Sequence, residues 1–310
     1  MFHLKIYCNT IIIMPNFINS EHYIEKLFPV GTTFTFEGEV YNVALCGKPR
    51  PSKGECKTDV YIKGISSNKK VKEIKISVKQ KNADFLENKM SLNRASEIFG
   101  KDASNIIKKC SLSIKNSFTN DNLVYFKKKG KTEAHTMKLG WKFELLNKLS
   151  GEKSGVLELT EKQKYDVFSG INLSDDKKNS RIDNQIIKDS GVANYILNMD
   201  EVNITQDTCL KMLQPIEEYA KSQTIYFACK ALNYRFDKNK WDGPRPLSVY
   251  VDWYICKGKL DAHLIFDKPL EHDGNEVGKN LRNILKKLNI KKFDDLKEVL
   301  SPNVKCLYQE

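Results

Sequence analysis

Alternating apolar and polar residues predict β-strands in the first half of the chain. The segment 31–45 alternates around Gly38, which predicts a hairpin. Residues 57–62 and 71–80 predict a second hairpin. In its second strand every other residue is apolar, which indicates that one face packs on a helix. Further strands are expected at 111–115, 122–127 and 132–138.

Apolar residues at helical spacing predict helices between and after these strands. A first helix is expected at about 19–28, and a second begins at Asn82 or Asp84 and ends before Gly100. A capping-box pattern at 160–163 predicts the start of another helix. The remaining helical patterns cover 141–149, 185–197 and 207–222, the last continuing more weakly to about 233.

The last quarter of the chain predicts a hairpin followed by two helices. Strands at 247–256 and 260–266 flank a short turn, and basic helical patterns cover 275–288 and 292–300. The most polar stretch, 174–184, predicts a linker or mobile loop. Together the patterns predict an α/β or α+β fold with a mixed β-sheet flanked by helices. We expect a first domain at 1–150 and an α+β region at 151–310; the alternative is one continuous domain.

Composition and charge narrow the class of partner. The chain has 310 residues, 40% of them hydrophobic and 29% charged, which is typical of a globular protein with a real core. A net charge of +12 favours a polyanionic partner, nucleic acid before membrane, although lysine excess also arises from base composition of the genome. The apolar run at 11–14 is too short to span a membrane.

Cysteine usage predicts the cellular compartment. Eight cysteines are scattered without a C-x-x-C pair, which argues against a zinc finger or ribbon. In a chain of this length, sparse cysteines predict free thiols in a reducing compartment, so we expect a cytoplasmic protein without a membrane partner.

The hairpin at 57–80 carries the candidate chemistry. Glu73, Lys75, Ser77 and Lys79 alternate with apolar residues and therefore share one strand face. If the turn centres near residue 68, Asp59 lies opposite Ser77 and Lys63 opposite Glu73. Carboxylates beside ammonium groups are equipped to hold Mg²⁺ against a phosphodiester. The alternative is a surface hairpin with solvated lysines.

These residues resemble the PD-(D/E)xK nucleases, the fold of type II restriction endonucleases. Asp59 matches the first acid, and either Glu73-Ile74-Lys75 or Ser77-Val78-Lys79 matches the second motif element. Thr58 stands where the family has proline. In the better register the acid is replaced by Ser77. Some restriction enzymes share this Ser-x-Lys variant, in which a glutamate on the following helix supplies the carboxylate. Glu87 is expected to be that residue, with Glu97 as a less favoured substitute.

The resemblance implies a restriction-endonuclease-like fold and a Mg²⁺-dependent, sequence-specific endonuclease that cuts double-stranded DNA, as a homodimer, in a restriction system. Asp59 would bind metal, Lys79 would orient the attacking water, and Ser77 and Glu87 would complete the site. Glu73 is the competing metal ligand. Two alternatives stay open: a repair or recombination nuclease of the same fold, and a non-catalytic nucleic-acid-binding protein.

The second half of the chain offers residues that suit DNA recognition. Lys240 and Arg245 lie in a basic, aromatic segment at 238–246. An arginine in this segment would bind the edges of guanine bases. The alternative is that Trp241 anchors the segment in the core. Lys128 lies in a basic turn that suits phosphate contacts, and Arg181 lies in the polar linker. We expect all four cations, Lys128, Arg181, Lys240 and Arg245, to contact DNA.

Overall fold

A computed structural model describes residues 17–79, 85–199 and 204–308. The predicted apolar run at 11–14 and the predicted helix start at 82 or 84 lie outside these residues. The α-helices are α1 (Phe17–Lys26), α2 (Leu92–Phe99), α3 (Ala103–Ser113), α4 (Lys115–Thr119), α5 (Glu161–Ser169), α6 (Asp175–Lys178), α7 (Gln206–Met212), α8 (Ile216–Ser222), α9 (Gly274–Lys287) and α10 (Leu296–Val299).

The strands alternate with these helices, so the protein belongs to the α+β class, as predicted. They are β1 (Thr33–Phe36), β2 (Glu39–Gly47), β3 (Val60–Ser66), β4 (Val71–Lys79), β5 (Phe85–Glu87), β6 (Val124–Tyr125), β7 (Thr136–Leu146), β8 (Ser154–Val156), β9 (Arg181–Ile182), β10 (Gln185–Ile186), β11 (Tyr195–Asn198), β12 (Gln214–Pro215), β13 (Tyr226–Arg235), β14 (Lys240–Trp241), β15 (Val249–Cys256), β16 (Lys259–Ile265) and β17 (Cys306–Leu307).

The chain folds into two compact units, each built from two chain segments. Unit 1 combines residues up to 81 with 175–219, and unit 2 combines 82–174 with the residues from 220 onward. The expected boundary at 150 does not separate these units, because β7 and β13 pair across it and hold 136–146 and 226–235 in one sheet. No helix in the described ranges has the length and apolar character needed to cross a bilayer.

Unit 1 is a six-stranded sheet in the order β1-β2-β3-β4-β11-β12. The first four strands form an antiparallel meander, and β11 then adds in parallel to β4. The apolar residues of β4 (Ile74, Ile76 and Val78) are buried in one cluster with Ile24 of α1 and with Phe28, which follows that helix. The predicted helix-packed face is therefore confirmed.

The segment before β11 continues along the edge of β4, where the Asn194 N–H donates to the Lys75 carbonyl at 2.9 Å. Asn194 Oδ1 accepts a hydrogen bond from the Lys75 N–H at 2.7 Å, and Asn194 donates to the Glu73 carbonyl at 3.0 Å. Gly191 lies where a Cβ atom would meet the Lys177 carbonyl oxygen at 1.9 Å, so only glycine fits. The Gly191 carbonyl accepts bonds from the Lys57 and Thr58 N–H groups at 3.0 and 3.3 Å. These contacts fix the chain just before β3.

Unit 2 contains a larger sheet with the main order β14-β13-β7-β15-β16. Its centre is β7, in which every residue except Lys142 is buried. The predicted hairpin of β15 and β16 is confirmed, with Tyr250 opposite Ile265. The predicted helix at 275–288 is confirmed as α9, which an Asp273 capping box opens. The capping box at 160–163 is likewise confirmed at the start of α5.

Several predicted elements are wrong. The expected helix at 141–149 is the second part of β7, because a strand buried on both faces shows no alternation. The expected strand at 111–115 is the junction of two short helices, α3 and α4. The expected helix at 185–197 is replaced by β10 and β11. The weak extension of the 207–222 helix to about 233 is β13.

Candidate active site

Asp59 lies immediately before β3, at the open end of the hairpin. The register is the predicted one: Lys63 pairs with Glu73 and Val60 with Ile76. Asp59 Oδ2 accepts a hydrogen bond from the Val78 N–H at 2.8 Å and one from Ser77 Oγ at 3.4 Å. Within the described residues nothing hydrogen-bonds the other oxygen, Oδ1. The carboxylate is thus oriented through one oxygen while the other stays available to a ligand.

Ser77 and Lys79 stand on the neighbouring strand. Ser77 is buried, and its hydroxyl group orients Asp59. Lys79 is half-buried and lines the same cleft as Asp59. No ion pair joins the two side chains directly in the part of the chain that is described. Their opposite charges face a common space that a ligand would fill.

That cleft has a volume of about 570 Å³ and lies wholly within unit 1. Two residues that sequence reasoning missed, Glu21 and Lys48, also line it, and they form an ion pair with each other. Glu21 is on α1, one turn before the core residue Ile24. Its position on the apolar side of the helix, at i−3 from Ile24, was the available signal. Glu55 contributes a third, exposed carboxylate.

Burial shapes the charges in this cleft. It raises the pKa of Asp59 above its usual range, although the Lys79 ammonium group and the Val78 N–H oppose the rise. Burial likewise raises the pKa of Glu21, and the nearby Asp59 charge adds to the effect. For Lys48, burial disfavours the charged form, but the hydrogen bond to Glu21 and the nearby carboxylate charges together raise the pKa. Burial therefore disfavours the charged forms of both carboxylates, and nearby positive charge opposes this effect.

The donor set fits Mg²⁺ with a bound substrate better than a closed metal cage. No group of three or more His, Cys, Asp or Glu side chains able to hold a metal occurs among the described residues. Mg²⁺ is commonly held by one or two carboxylates together with water and substrate phosphate. Asp59 and Glu21 offer such hard oxygen ligands at the cleft, and the partial burial of both carboxylates favours a bound cation.

In the competing motif Glu73-x-Lys75, both charged side chains form hydrogen bonds within the fold. Glu73 lies four residues before Ser77 on β4, about 13 Å along the strand. Its carboxylate accepts a hydrogen bond from the buried Tyr61 hydroxyl group at 2.6 Å. Lys75 Nζ donates to the Asp189 carbonyl at 3.1 Å. Glu73 is therefore separated from Asp59, and the prediction that Glu73 shares a metal with it is corrected.

Glu87 was predicted to lie on a helix, but the structure places it in a strand. It ends the short strand β5, which pairs with β7 in unit 2, and α2 begins only at Leu92, after the Ser91 N-cap. Arg94 Nε donates to the Glu87 carboxylate at 2.8 Å, and Arg94 also bonds Glu97 at 3.1 Å. Both expected substitutes for the missing acid are thus engaged by one arginine, and a metal-binding role for Glu87 stays a prediction.

The four predicted DNA contacts fall in both units. Lys128, Lys240 and Arg245 are exposed in unit 2, and Arg181 is exposed in unit 1. Within the described ranges none of the four side chains has an ion pair. Trp241 is half-buried and donates a hydrogen bond to Asn275 of α9 at 2.7 Å, so it anchors its segment, as the alternative interpretation held.

No protein family, no curated protein sequence and no solved structure matches this chain. The geometry of the cleft and the sequence motifs therefore carry the functional argument.

Replacing Asp59 by asparagine is expected to leave the fold at least as stable at neutral pH. A group whose pKa is raised on folding costs stability once it ionises, and an asparagine side chain would keep the bond from the Val78 N–H. Thermal unfolding without divalent cations should show an equal or higher midpoint for Asp59→Asn. The difference should vanish below the usual aspartate pKa, where both side chains are neutral. A lower midpoint at pH 7 would contradict this account of the buried charge.

Removing the Glu73 side chain is expected to affect stability and spare catalysis. Glu73→Ala leaves the buried Tyr61 hydroxyl group without its acceptor, which costs about 1–3 kcal/mol of unfolding free energy. Denaturant unfolding measures that loss, and a DNA cleavage assay should show a rate within a few-fold of the parent protein. A loss of cleavage as large as for Asp59 variants would restore Glu73 as a metal ligand.

Proposed function

We propose that this protein is a Mg²⁺-dependent DNA endonuclease with a PD-(D/E)xK-type site, and specifically a type II restriction endonuclease. The observation that carries the proposal is the meeting of Asp59 and Lys79 at one cleft. Ser77, in the acid position of the motif, donates a hydrogen bond to Asp59. The sheet supports it, since an antiparallel meander followed by the parallel strand β11 and flanked by α1 is the mixed sheet expected for a restriction-endonuclease-like fold.

Asp59 and Glu21 are the residues that would hold Mg²⁺. The chemistry supplied by the bound ion is polarisation of the scissile phosphate and a lower pKa of bound water. The Val78 N–H and the Ser77 hydroxyl group fix the orientation of Asp59. Lys48 pairs with Glu21 and favours the ionised form of that carboxylate against the effect of burial.

Lys79 supplies the positive charge opposite Asp59. In this role its ammonium group donates hydrogen bonds to the attacking water and to the phosphate oxygens as negative charge develops there. Since no described acidic group pairs with Lys79 directly, its donors are available to substrate. Its partial burial strengthens such bonds relative to bulk water.

The charge distribution supports DNA as the substrate. Unit 2 carries 33 Lys and Arg against 23 Asp and Glu, a formal charge of +10, whereas unit 1 carries 18 against 16, or +2. Nearly all of the basic excess therefore lies outside the unit with the cleft, which favours unit 2 for phosphate contacts and recognition. Lys128, Lys240 and Arg245 are its candidate contacts. A homodimer would bring one cleft to each DNA strand.

The first test is digestion of unmethylated phage DNA by the purified protein with Mg²⁺ or with EDTA. The proposal predicts discrete fragments with 5′-phosphate ends, formed only with Mg²⁺. A continuous smear or cutting restricted to branched DNA would indicate a repair or recombination nuclease. DNA binding without any cutting would leave a non-catalytic nucleic-acid-binding protein and overturn the proposal.

A further inference from the structure

Two arginines of unit 1 lie directly opposite each other at the edge of the Asp59 cleft, and Arg50 is one of its lining residues. Arg50 and Arg181 form an antiparallel bridge in which each N–H donates to the other's carbonyl, at 2.9 and 3.1 Å. Such a hydrogen-bonded pair holds its Cα atoms about 5.5 Å apart and sends both side chains to the same side. Both residues are exposed, and in the described ranges neither guanidinium group has an ion pair or hydrogen bond.

The hairpin that carries Arg181 is fixed to unit 1. β9 and β10 flank a two-residue turn at Asp183 and Asn184, with φ values of 46° and 65°, which suits a tight hairpin. The buried Ile182 side chain lies against Gly47 of β2, where a Cβ atom would come within 3.1 Å of it. The polar stretch at 174–184, predicted as a linker or mobile loop, contains α6 and the first strand of this hairpin, which holds Arg181 in place.

Both arginines line a second groove, with a volume of about 720 Å³, that adjoins the Asp59 cleft. The two spaces share Lys48, Arg50 and Pro51 as lining residues. A strand that places one phosphate beside Asp59 and Lys79 therefore has a continuous path past Lys48 to the arginine pair.

The carboxylates in this groove are mostly engaged. Asp176 accepts a hydrogen bond from the Ser52 N–H at 3.1 Å, and Glu25 pairs with His22 at 3.0 Å. Asp183, in the hairpin turn, is exposed and has no such contact among the described residues. Within the described part of the groove, the arginine pair and Asp183 are thus the charges with no partner of their own.

We propose that Arg50 and Arg181 form a phosphate clamp that grips the DNA backbone beside the scissile phosphate. Planar guanidinium groups bind phosphate bidentately, and two of them on one side of a bridge present a preformed site for a single phosphate. The clamp rests on the proposed function only in its choice of DNA as the ligand. It positions the strand and takes no part in the chemistry.

The test measures DNA binding without cleavage. Fluorescence anisotropy of a labelled duplex of about 30 base pairs is followed in EDTA over a range of KCl concentrations, with every variant in an Asp59→Asn background. Arg50→Gln and Arg181→Gln are each expected to weaken binding about tenfold and to reduce the log–log salt slope by about one. The double variant should reduce the log–log salt slope by about two. Arg181→Lys should keep the slope because the charge remains.

Matched variants distinguish loss of the clamp from a general effect of positive charge on DNA binding. Lys69→Gln removes an exposed cation, unpaired within the described ranges, at the far end of the β3–β4 hairpin and should leave the slope unchanged. Asp183→Asn should tighten binding, since it removes the negative charge beside Arg181. Unchanged slopes for the arginine variants, or equal losses for Lys69→Gln, would overturn the clamp. If the arginine variants behave as expected but the parent protein never cuts DNA, the clamp stands and the nuclease proposal falls.

Discussion

Asp59→Asn is expected to reduce Mg²⁺-dependent DNA cleavage about a thousandfold. The substitution replaces an anionic oxygen ligand by a weak neutral one, and the charge stabilisation that a catalytic metal supplies amounts to several kcal/mol. The hydrogen bond from the Val78 N–H can persist, so the local backbone should stay in place. Single-turnover cleavage of a labelled duplex, with enzyme in excess, measures the effect directly.

The control for Asp59 is the same variant in a binding assay. Asp59→Asn should bind DNA in EDTA at least as tightly as the parent protein, because removing a carboxylate reduces repulsion of phosphate. A cleavage rate within tenfold of the parent protein would show that another group holds the metal. Loss of DNA binding together with cleavage would instead indicate a misfolded variant.

Lys79→Met is expected to slow cleavage about a hundredfold or more while DNA binding changes little. The ammonium group would be needed in the transition state, where charge accumulates on the phosphate oxygens, and one such donor is worth about 10²–10³ in rate. Methionine keeps most of the aliphatic stem and removes the charge and the donors. The single-turnover rate at saturating enzyme separates this loss from any change in affinity.

Lys75→Met is the matched control, because Lys75 lies four residues before Lys79 on the same strand face. Its ammonium group is occupied by the Asp189 carbonyl, so cleavage should stay within a few-fold of the parent rate. If Lys75→Met were the slow variant and Lys79→Met the fast one, the register of the motif would be wrong. Equal and large losses would indicate a general effect of charge on DNA binding.

The hairpin register could be predicted from the sequence because two constraints agree. The alternation of β4 sets which residues share a face, and a turn near residue 68 sets which residues pair, so Asp59 is expected opposite Ser77. The helix α9 and the hairpin of β15 and β16 were predictable for similar local reasons: a capping residue begins the helix, and a turn joins the strands.

Features that depend on long-range packing could not be predicted from the sequence. The spacing of Glu21 from Ile24 places it on the apolar side of α1, but the sequence does not indicate that α1 packs where Glu21 meets Asp59 and Lys79. The apolar pattern after residue 84 predicts Glu87 on a helix, but the Ser91 cap delays the start of α2. The insertion of 82–174 between β4 and β11 could not be inferred either, since these neighbouring strands of unit 1 are separated in sequence by a long segment that belongs to unit 2.

The most direct test of the account is a double-variant cycle for Asp59 and Lys79 in single-turnover cleavage. If both side chains act on one scissile phosphate, the rate of Asp59→Asn/Lys79→Met should be no slower than that of the worse single variant, because groups that act as a unit are not additive. Cleavage at the parent rate in either single variant, or losses that multiply in the double variant, would contradict a shared active site.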